Sequence, residues 1–233
     1  DADLRGVAGQ WEGEGKSPPW QRLRGLQRAF EHLRGRAGEL RDPVARWRET
    51  HAFHTRLLTA LGYAVAPAVE ALEGGTVVPA LVSLQREGKP WLVVLEAPLA
   101  AGDGHDAMDA PPLAAQYPEE VARDAPEPRG RRGLPDPRTW REVLDTALFA
   151  RDEPEPPRWV LFLAGDEATL IDRWKWPQGA CLRFDLGKTF EVRSEEGLRV
   201  LTALLHHDTL APTEGAPLHD RLDENSHKHA YAA

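Results

Sequence analysis

The chain has 233 residues, with 29 lysines and arginines against 37 aspartates and glutamates, and a formal net charge of −8. Its 41% hydrophobic and 28% charged residues are typical of a folded globular protein and exclude a disordered or fibrous class. The longest apolar run, from Trp159 to Gly165, is far below the roughly 20 residues that a membrane helix needs. A single cysteine, Cys181, excludes an internal disulfide framework and a cysteine-based zinc site, and with no secretory signal we expect a cytoplasmic protein.

The first part of the chain predicts an arm, two helices and three strands. Residues 1–19 are rich in Gly and Pro and poor in large apolar side chains, which indicates a flexible arm outside the core. Apolar residues recur at helical spacing over 20–61, broken at Asp42-Pro43, with Gly62 placed to cap the second helix. Three short apolar runs then predict a meander, the last two strands forming a hairpin. These runs lie at 63–69, 77–84 and 91–95.

The second part predicts a long loop and then a return to regular structure. Residues 99–137 are rich in Pro and Gly and indicate a long loop or insert, followed by a helix over 138–150. Strand-like runs follow at 159–163, 168–173 and 181–186, with Gly165-Asp166 as the first turn. Ser194 and two glutamates suit the start of a helix through Leu205, so we expect one domain over 20–205. Residues 206–233 then indicate the start of a helical connector.

This order of helix, three strands, helix and strand resembles the core of the PD-(D/E)XK nuclease fold. The resemblance implies an α/β, restriction-endonuclease-like mixed sheet flanked by helices, with a C-terminal helical extension. In that family an Asp on the second strand and a Glu-x-Lys on the third hold Mg²⁺ and orient the attacking water. Alignment places Ala80 at the Asp, Glu96 at the Glu and Pro98 at the Lys. Glu96 is therefore a vestigial candidate, unless a migrated acid such as Glu70, Glu73 or Asp103 completes a divergent Mg²⁺ site.

The C-terminal third resembles the N-terminal region of bacterial adenine-specific DNA methyltransferases of the type IIG and DISARM-like phage-defence kind. The segments that carry the resemblance are 159–166, 170–176, 182–186, 204–210 and 222–230. In such proteins a nuclease-like domain and a helical connector precede the methyltransferase. The resemblance covers roughly 150–233, and 44–98 by topology alone.

The methyltransferase motifs themselves are missing from this chain. An adenine methyltransferase needs an Asn/Asp-Pro-Pro-Tyr/Phe loop for the flipped base and a Gly-rich turn for S-adenosylmethionine. Neither occurs, since Pro18-Pro19 precedes Trp20 without an Asn or Asp ahead, and the other Pro-Pro pairs have no aromatic residue after them. We therefore expect S-adenosylmethionine to bind only a methyltransferase region outside this chain, which would be a fragment or a truncated relative.

Arginines are concentrated in the predicted helices of 20–60. Nine arginines face four acidic residues there, a local charge of +5, and Arg is the residue best suited to phosphate contact. This pattern predicts contact with double-stranded DNA, although a solvated helix face would give the same charge run. The candidate nucleic-acid-binding residues are Arg22, Arg24, Arg28, Arg46 and Arg48, with Arg131 and Arg132 in the long loop.

Histidines are frequent near the C-terminus, but their spacing does not predict a metal site. His227 and His229 would point to different sides of a helix, and no H-E-x-x-H pattern occurs, so we expect no metal or cofactor site in this chain.

The favoured function is a non-catalytic nuclease-like module of a restriction-modification or phage-defence methyltransferase. It would contact DNA, the methyltransferase domain or a defence-system subunit, with no membrane partner. The alternatives are a divergent Mg²⁺-dependent DNA endonuclease and a protein-interaction scaffold that binds no nucleic acid.

Overall fold

The apolar strands assemble into a mixed sheet with helices on both faces. The structure is a computed structural model, and it describes residues 2–11, 17–100, 106–118, 135–192 and 194–231. The helices are α1 (Ala2–Gln10), α2 (Pro19–Arg24), α3 (Gln27–Glu39), α4 (Pro43–Ala60), α5 (Trp140–Val143), α6 (Leu186–Val192), α7 (Glu195–Leu205), α8 (His207–Leu210) and α9 (Leu218–Tyr231). The strands are β1 (Ala68–Ala71), β2 (Val77–Ala80), β3 (Val82–Arg86), β4 (Lys89–Ala97), β5 (Trp159–Ala164), β6 (Glu167–Asp172) and β7 (Leu182–Asp185).

The strands form one main sheet and one small one. The five-stranded sheet has the order β3-β4-β5-β6-β7, in which β4 and β5 are parallel and the other neighbours are antiparallel. The parallel pair requires a crossover connection, and α5 lies in that connection. Strands β1 and β2 form a separate antiparallel pair. The expected α/β class, with a mixed sheet flanked by helices, is confirmed.

Alternation along the strands divides the core between the two faces of the sheet. Leu92 and Leu161 pack with α2, α3, α4 and the C-terminal helices, whereas Val93 and Phe162 pack with α5 and the turn after it. Successive side chains of a strand point to opposite faces, so an apolar run without polar interruption marks a strand buried on both sides. Glu96 has the parity of Leu92 and therefore belongs to the α4 side.

Several local predictions are confirmed by the turns and caps. The Asp42 side chain accepts hydrogen bonds from the backbone N–H groups of Val44 and Ala45, and α4 begins at Pro43. Ser194 caps α7 in the same way, through Gly197 N. The β3–β4 hairpin turns at Glu87 and Gly88, both with positive φ, as a tight hairpin requires.

Helix predictions near the N-terminus need correction. The prediction of a flexible arm without core contacts is wrong for Ala2–Gln10, which forms α1 and buries Val7 against Ala203 and Leu218. The segment 20–61 holds three helices rather than two, because the chain turns between Arg24 and Gln27.

Two of the predicted strands also differ from the structure. The run at 63–69 forms a strand only from Ala68 onward. Its first residue, Tyr63, is buried outside the sheet strands, and its hydroxyl donates to Leu205 O at 2.9 Å. The run at 77–84 is divided between two sheets, as β2 and the start of β3.

The segment after β4 carries more structure than a loop prediction implies. Short 3₁₀ turns occur at Ala107–Asp109 and Ala114–Gln116, and Met108 is buried. The helix expected over 138–150 is shorter, because Arg138 binds Asp136 and Thr139 caps α5, which continues as a π-helical turn over Leu144–Leu148. Residues 101–105 and 119–134, with Arg131 and Arg132, lie outside the described residues. Among the described residues, no helix has the length and apolar character needed to cross a membrane.

Candidate functional site

Glu96, near the end of β4, is held beneath one face of α4. Trp47, His51 and His54 are spaced four and three residues apart, which places them on one side of a helix. That side packs over β4, where Glu96 as a whole residue is only 4% exposed. A buried carboxylate is costly unless it is fully hydrogen-bonded, so its partners decide whether the arrangement is stable.

The three α4 side chains satisfy the carboxylate between them. Trp47 Nε1 donates to Glu96 Oε1 at 2.8 Å, and His51 Nδ1 donates to the same oxygen at 2.8 Å. His54 Nδ1 donates to Oε2 at 2.9 Å. Burial alone would raise the pKa of Glu96, but the hydrogen bonds from His51 and His54 outweigh it and bring the pKa from 4.5 to about 2. Glu96 is therefore ionised at neutral pH.

His54 has its ring orientation and tautomer fixed from both sides. The backbone N–H of Gly165, in the β5–β6 turn, donates to His54 Nε2 at 3.0 Å. Because Nε2 accepts, Nδ1 must carry the ring hydrogen that goes to Glu96. His54 therefore links the β5–β6 turn to the carboxylate and has no ring nitrogen left for another ligand.

His51 differs from His54 because its second ring nitrogen faces open space. Its side chain is 32% exposed, and Nε2 has no hydrogen-bond partner within the described part of the chain. The hydrogen bond to Glu96 raises the pKa of His51 above 6.5, against the opposing effect of burial. A carboxylate-oriented imidazole with one free nitrogen can donate or accept a proton at Nε2.

A pocket of about 310 Å³ lies beside His51. Gln116, in the 3₁₀ turn Ala114–Gln116, lines this pocket and donates through Nε2 to the backbone oxygen of Glu96 at 2.8 Å. Its Oε1 accepts from Leu113 N at 2.6 Å, so both ends of the amide are used. The pocket is lined by Trp47, His51, Pro67, Pro79, Ala80, Leu81, Glu96, Ala115, Gln116, Tyr117 and Pro118.

The residues present do not fit a Mg²⁺ site of the kind the nuclease resemblance implies. Magnesium prefers several free oxygen ligands, whereas both oxygens of Glu96 accept N–H donors. Ala80 supplies no second carboxylate at the pocket, and Pro98 supplies no amine. No group of three or more His, Cys, Asp or Glu side chains able to hold a metal ion occurs in the described ranges.

Two of the three acids that could complete a divergent Mg²⁺ site lie among the described residues. Glu70, on β1, bonds to Ser83 and Arg151, and Glu73 is exposed in the β1–β2 turn; neither lines the pocket. Asp103 lies outside the described residues.

The candidate DNA-binding arginines occupy different surroundings. Arg22 donates to Ala60 O through Nε and Nη2, at 3.2 and 3.1 Å, and so caps the end of α4. Arg46 is half-buried, and Arg24 lies over the Trp20 ring with 5.5 Å between its guanidinium carbon and the ring centroid. Arg28 and Arg48 are exposed and form no ion pair with any described residue.

Sequence reasoning found Glu96 but missed its partners. Trp47, His51 and His54 match no catalytic motif, and Gln116 lies in a segment predicted as a loop. One signal was available: three side chains with N–H donors at helical spacing, on a helix that precedes a strand ending in a glutamate.

The pKa values of His51, His206 and His219 are expected to depart from the ordinary histidine value in opposite directions. His51 should titrate above 6.5 because of Glu96, and His206 near 4 because burial lowers its pKa, as do the nearby Arg22 and His207. Burial also lowers the pKa of His219. A pH series of imidazole NMR spectra, with each histidine assigned by substitution, measures these values. A His51 midpoint below 6.5 would contradict the hydrogen bond to an ionised Glu96.

Comparison with protein-family models, curated proteins and solved structures gives no match to this chain.

Proposed function

We propose that this chain is a nuclease-like module without nuclease chemistry, belonging to a cytoplasmic bacterial restriction-modification or phage-defence DNA methyltransferase. Its task would be to contact double-stranded DNA or a partner subunit. S-adenosylmethionine would be bound by a separate methyltransferase region.

The strand register around Glu96 carries the nuclease-like assignment. The β3–β4 ladder ends at the pair of Val82 and Val94, and both Ala80, at the end of β2, and Glu96, on β4, come just beyond this pair along their strands. Both residues line the same pocket, and β4 is followed by a crossover to its parallel neighbour β5. This is the relative placement that the PD-(D/E)XK resemblance requires of its second-strand and third-strand acids.

The chemistry of the pocket favours a module without catalysis. Hydrolysis of a phosphodiester by this class needs a metal held by two or more acidic groups, and a charged lysine near the attacking water. Here an alanine, a hydrogen-bonded carboxylate and a proline stand at those places.

A DNA contact would use the exposed arginines of α2, α3 and α4. Arg28 and Arg48 lie on two helices that pack together, and neither is engaged by a described carboxylate. Arg24, which is close to Arg28 in the sequence, is also exposed, and its guanidinium lies over the Trp20 ring. Exposed guanidinium groups bind phosphate without sequence preference, which suits a positioning role.

Plasmid cleavage tests the catalytic part of the proposal. We expect no nicking by the purified chain with Mg²⁺ or Mn²⁺. Cleavage that EDTA abolishes and that is absent from Glu96→Gln, shown to be folded, would overturn the proposal in favour of a divergent nuclease. Cleavage that persists unchanged in Glu96→Gln would come from a co-purified enzyme, and the preparation would be repeated until it is free of it.

Salt-dependent retention of a labelled duplex tests the DNA contact. We expect the Arg28→Ala/Arg48→Ala double variant to bind more weakly and to reduce the slope of log affinity against log salt by about 2, one for each phosphate that an arginine no longer neutralises. Arg221→Ala, which removes one positive charge at an exposed position of α9, should leave the slope nearly unchanged. Equal weakening in both variants, or no retention by the unmodified chain at low salt, would overturn the DNA contact and favour a protein-interaction scaffold.

A further inference from the structure

The pocket beside His51 has one hydrogen-bonding side-chain atom without a partner in the described part of the chain. The Glu96 carboxylate, the Gln116 amide and the Trp47 indole N–H are all used within the site. The Tyr117 hydroxyl donates to Val77 O at 3.3 Å. His51 Nε2 remains, so it is the side-chain atom available to orient a ligand in this pocket.

Most of the other lining residues are apolar, and five of them carry rings. These are Trp47, Tyr117, Pro67, Pro79 and Pro118. A lining rich in rings favours a planar aromatic body, since aromatic rings pack well against one another in offset-stacked or edge-to-face arrangements. The volume of about 310 Å³ is at the lower end for small-molecule sites, and suits a single substituted ring.

The charge of the pocket selects the polar group of the ligand. His51 Nδ1 donates to Glu96, and this hydrogen bond favours the protonated form of the ring, in which Nε2–H is presented to the pocket. A donor with positive character is best matched by an oxygen that carries negative charge. The carboxylate of Glu96 does not repel such a group strongly, because the protonated His51 beside it compensates its charge and its side chain is only 5% exposed.

We propose that this pocket binds a small planar aromatic carboxylate, whose ring lies between Trp47 and the prolines and whose carboxylate accepts a hydrogen bond from His51 Nε2. Glu96 acts as a positioning residue that turns the imidazole toward the ligand. The proposal concerns a ligand site and does not depend on DNA contact.

Benzoate and its neutral counterpart benzamide provide the direct test on the unmodified chain. We expect benzoate to shift the His51 Nε2 and Trp47 indole NMR signals with a dissociation constant on the order of 1 mM, as befits a ligand of nine heavy atoms. Benzamide should bind at least about tenfold more weakly, since it lacks the anionic oxygen. Cyclohexanecarboxylate, which keeps the charge but not the flat ring, should also bind more weakly than benzoate.

Matched variants identify the residue responsible. His51→Phe keeps an aromatic ring but removes the donor, and should lose the preference for benzoate over benzamide. His32→Phe, the same change at an exposed position of α3, should keep it. The proposal is overturned if benzamide binds as well as benzoate, if no signal of His51 or Trp47 moves up to roughly 20 mM benzoate, or if a folded His51→Phe keeps the preference.

Discussion

Replacement of Glu96 by glutamine should reduce the free energy of unfolding by about 3 kcal/mol near neutral pH. The carboxylate is buried and accepts three N–H donors, whereas an amide places an NH₂ group against at least one of them. The size agrees with the lowering of the pKa of Glu96 from 4.5 to about 2, which corresponds to about 3 kcal/mol of stabilisation of the ionised form. Urea unfolding at pH 7 measures the loss.

The dependence on pH distinguishes this cause from a general weakening of the fold. A carboxylate with a lowered pKa contributes its full stabilisation above the ordinary value of 4.5 and loses it as the pH falls toward 2. The difference between the unmodified chain and Glu96→Gln should therefore narrow between pH 4.5 and 2. The matched change Glu73→Gln, at an exposed position of the β1–β2 turn, should alter stability by less than about 0.5 kcal/mol. A difference that stays constant down to pH 2 would contradict the role assigned to the charge.

The elements that could be predicted from sequence are those whose causes are local. Strands β5 and β6 follow from apolar runs on both sides of Gly165, and the start of α4 follows from Asp42-Pro43. The errors have distant causes. Tyr63 is part of an apolar run, but the run does not mark a strand there. Its side chain instead packs near Leu205, 142 residues later.

The candidate site likewise contains one residue that the sequence could identify and several whose role depends on distant packing. Glu96 could be singled out because the resemblance to the PD-(D/E)XK core places the glutamate of its third strand at this position. The role of His51 and His54 depends on how α4 lies over β4, and that packing is set by the whole core rather than by spacing along the helix. Gly165 shows this most directly, since the sequence predicts a turn there, but its hydrogen bond to His54 joins positions 111 residues apart.

Gly165→Ala should be at least as damaging as the loss of the Glu96 charge, with a decrease of about 3–4 kcal/mol in the free energy of unfolding. Gly165 has φ +63°, a left-handed conformation that costs a residue with a Cβ about 1–2 kcal/mol. The added Cβ would also lie 2.6 Å from Leu99 Cβ and 2.8 Å from Leu99 Cα, so the backbone itself must move. Because Gly165 N–H donates to His54, this movement would weaken the hydrogen bond that holds the His54 tautomer.

Gly74→Ala separates the two contributions. Gly74 also has a left-handed conformation, with φ +85°, but an added Cβ there meets no atom within 4 Å. It should therefore show the conformational cost alone, about 1 kcal/mol, and leave the site unchanged. The excess destabilisation in Gly165→Ala then measures the close approach of the β5–β6 turn to Leu99. Equal destabilisation in the two variants would show that Leu99 yields at little cost, and that the turn is not packed tightly enough to fix His54 over Glu96.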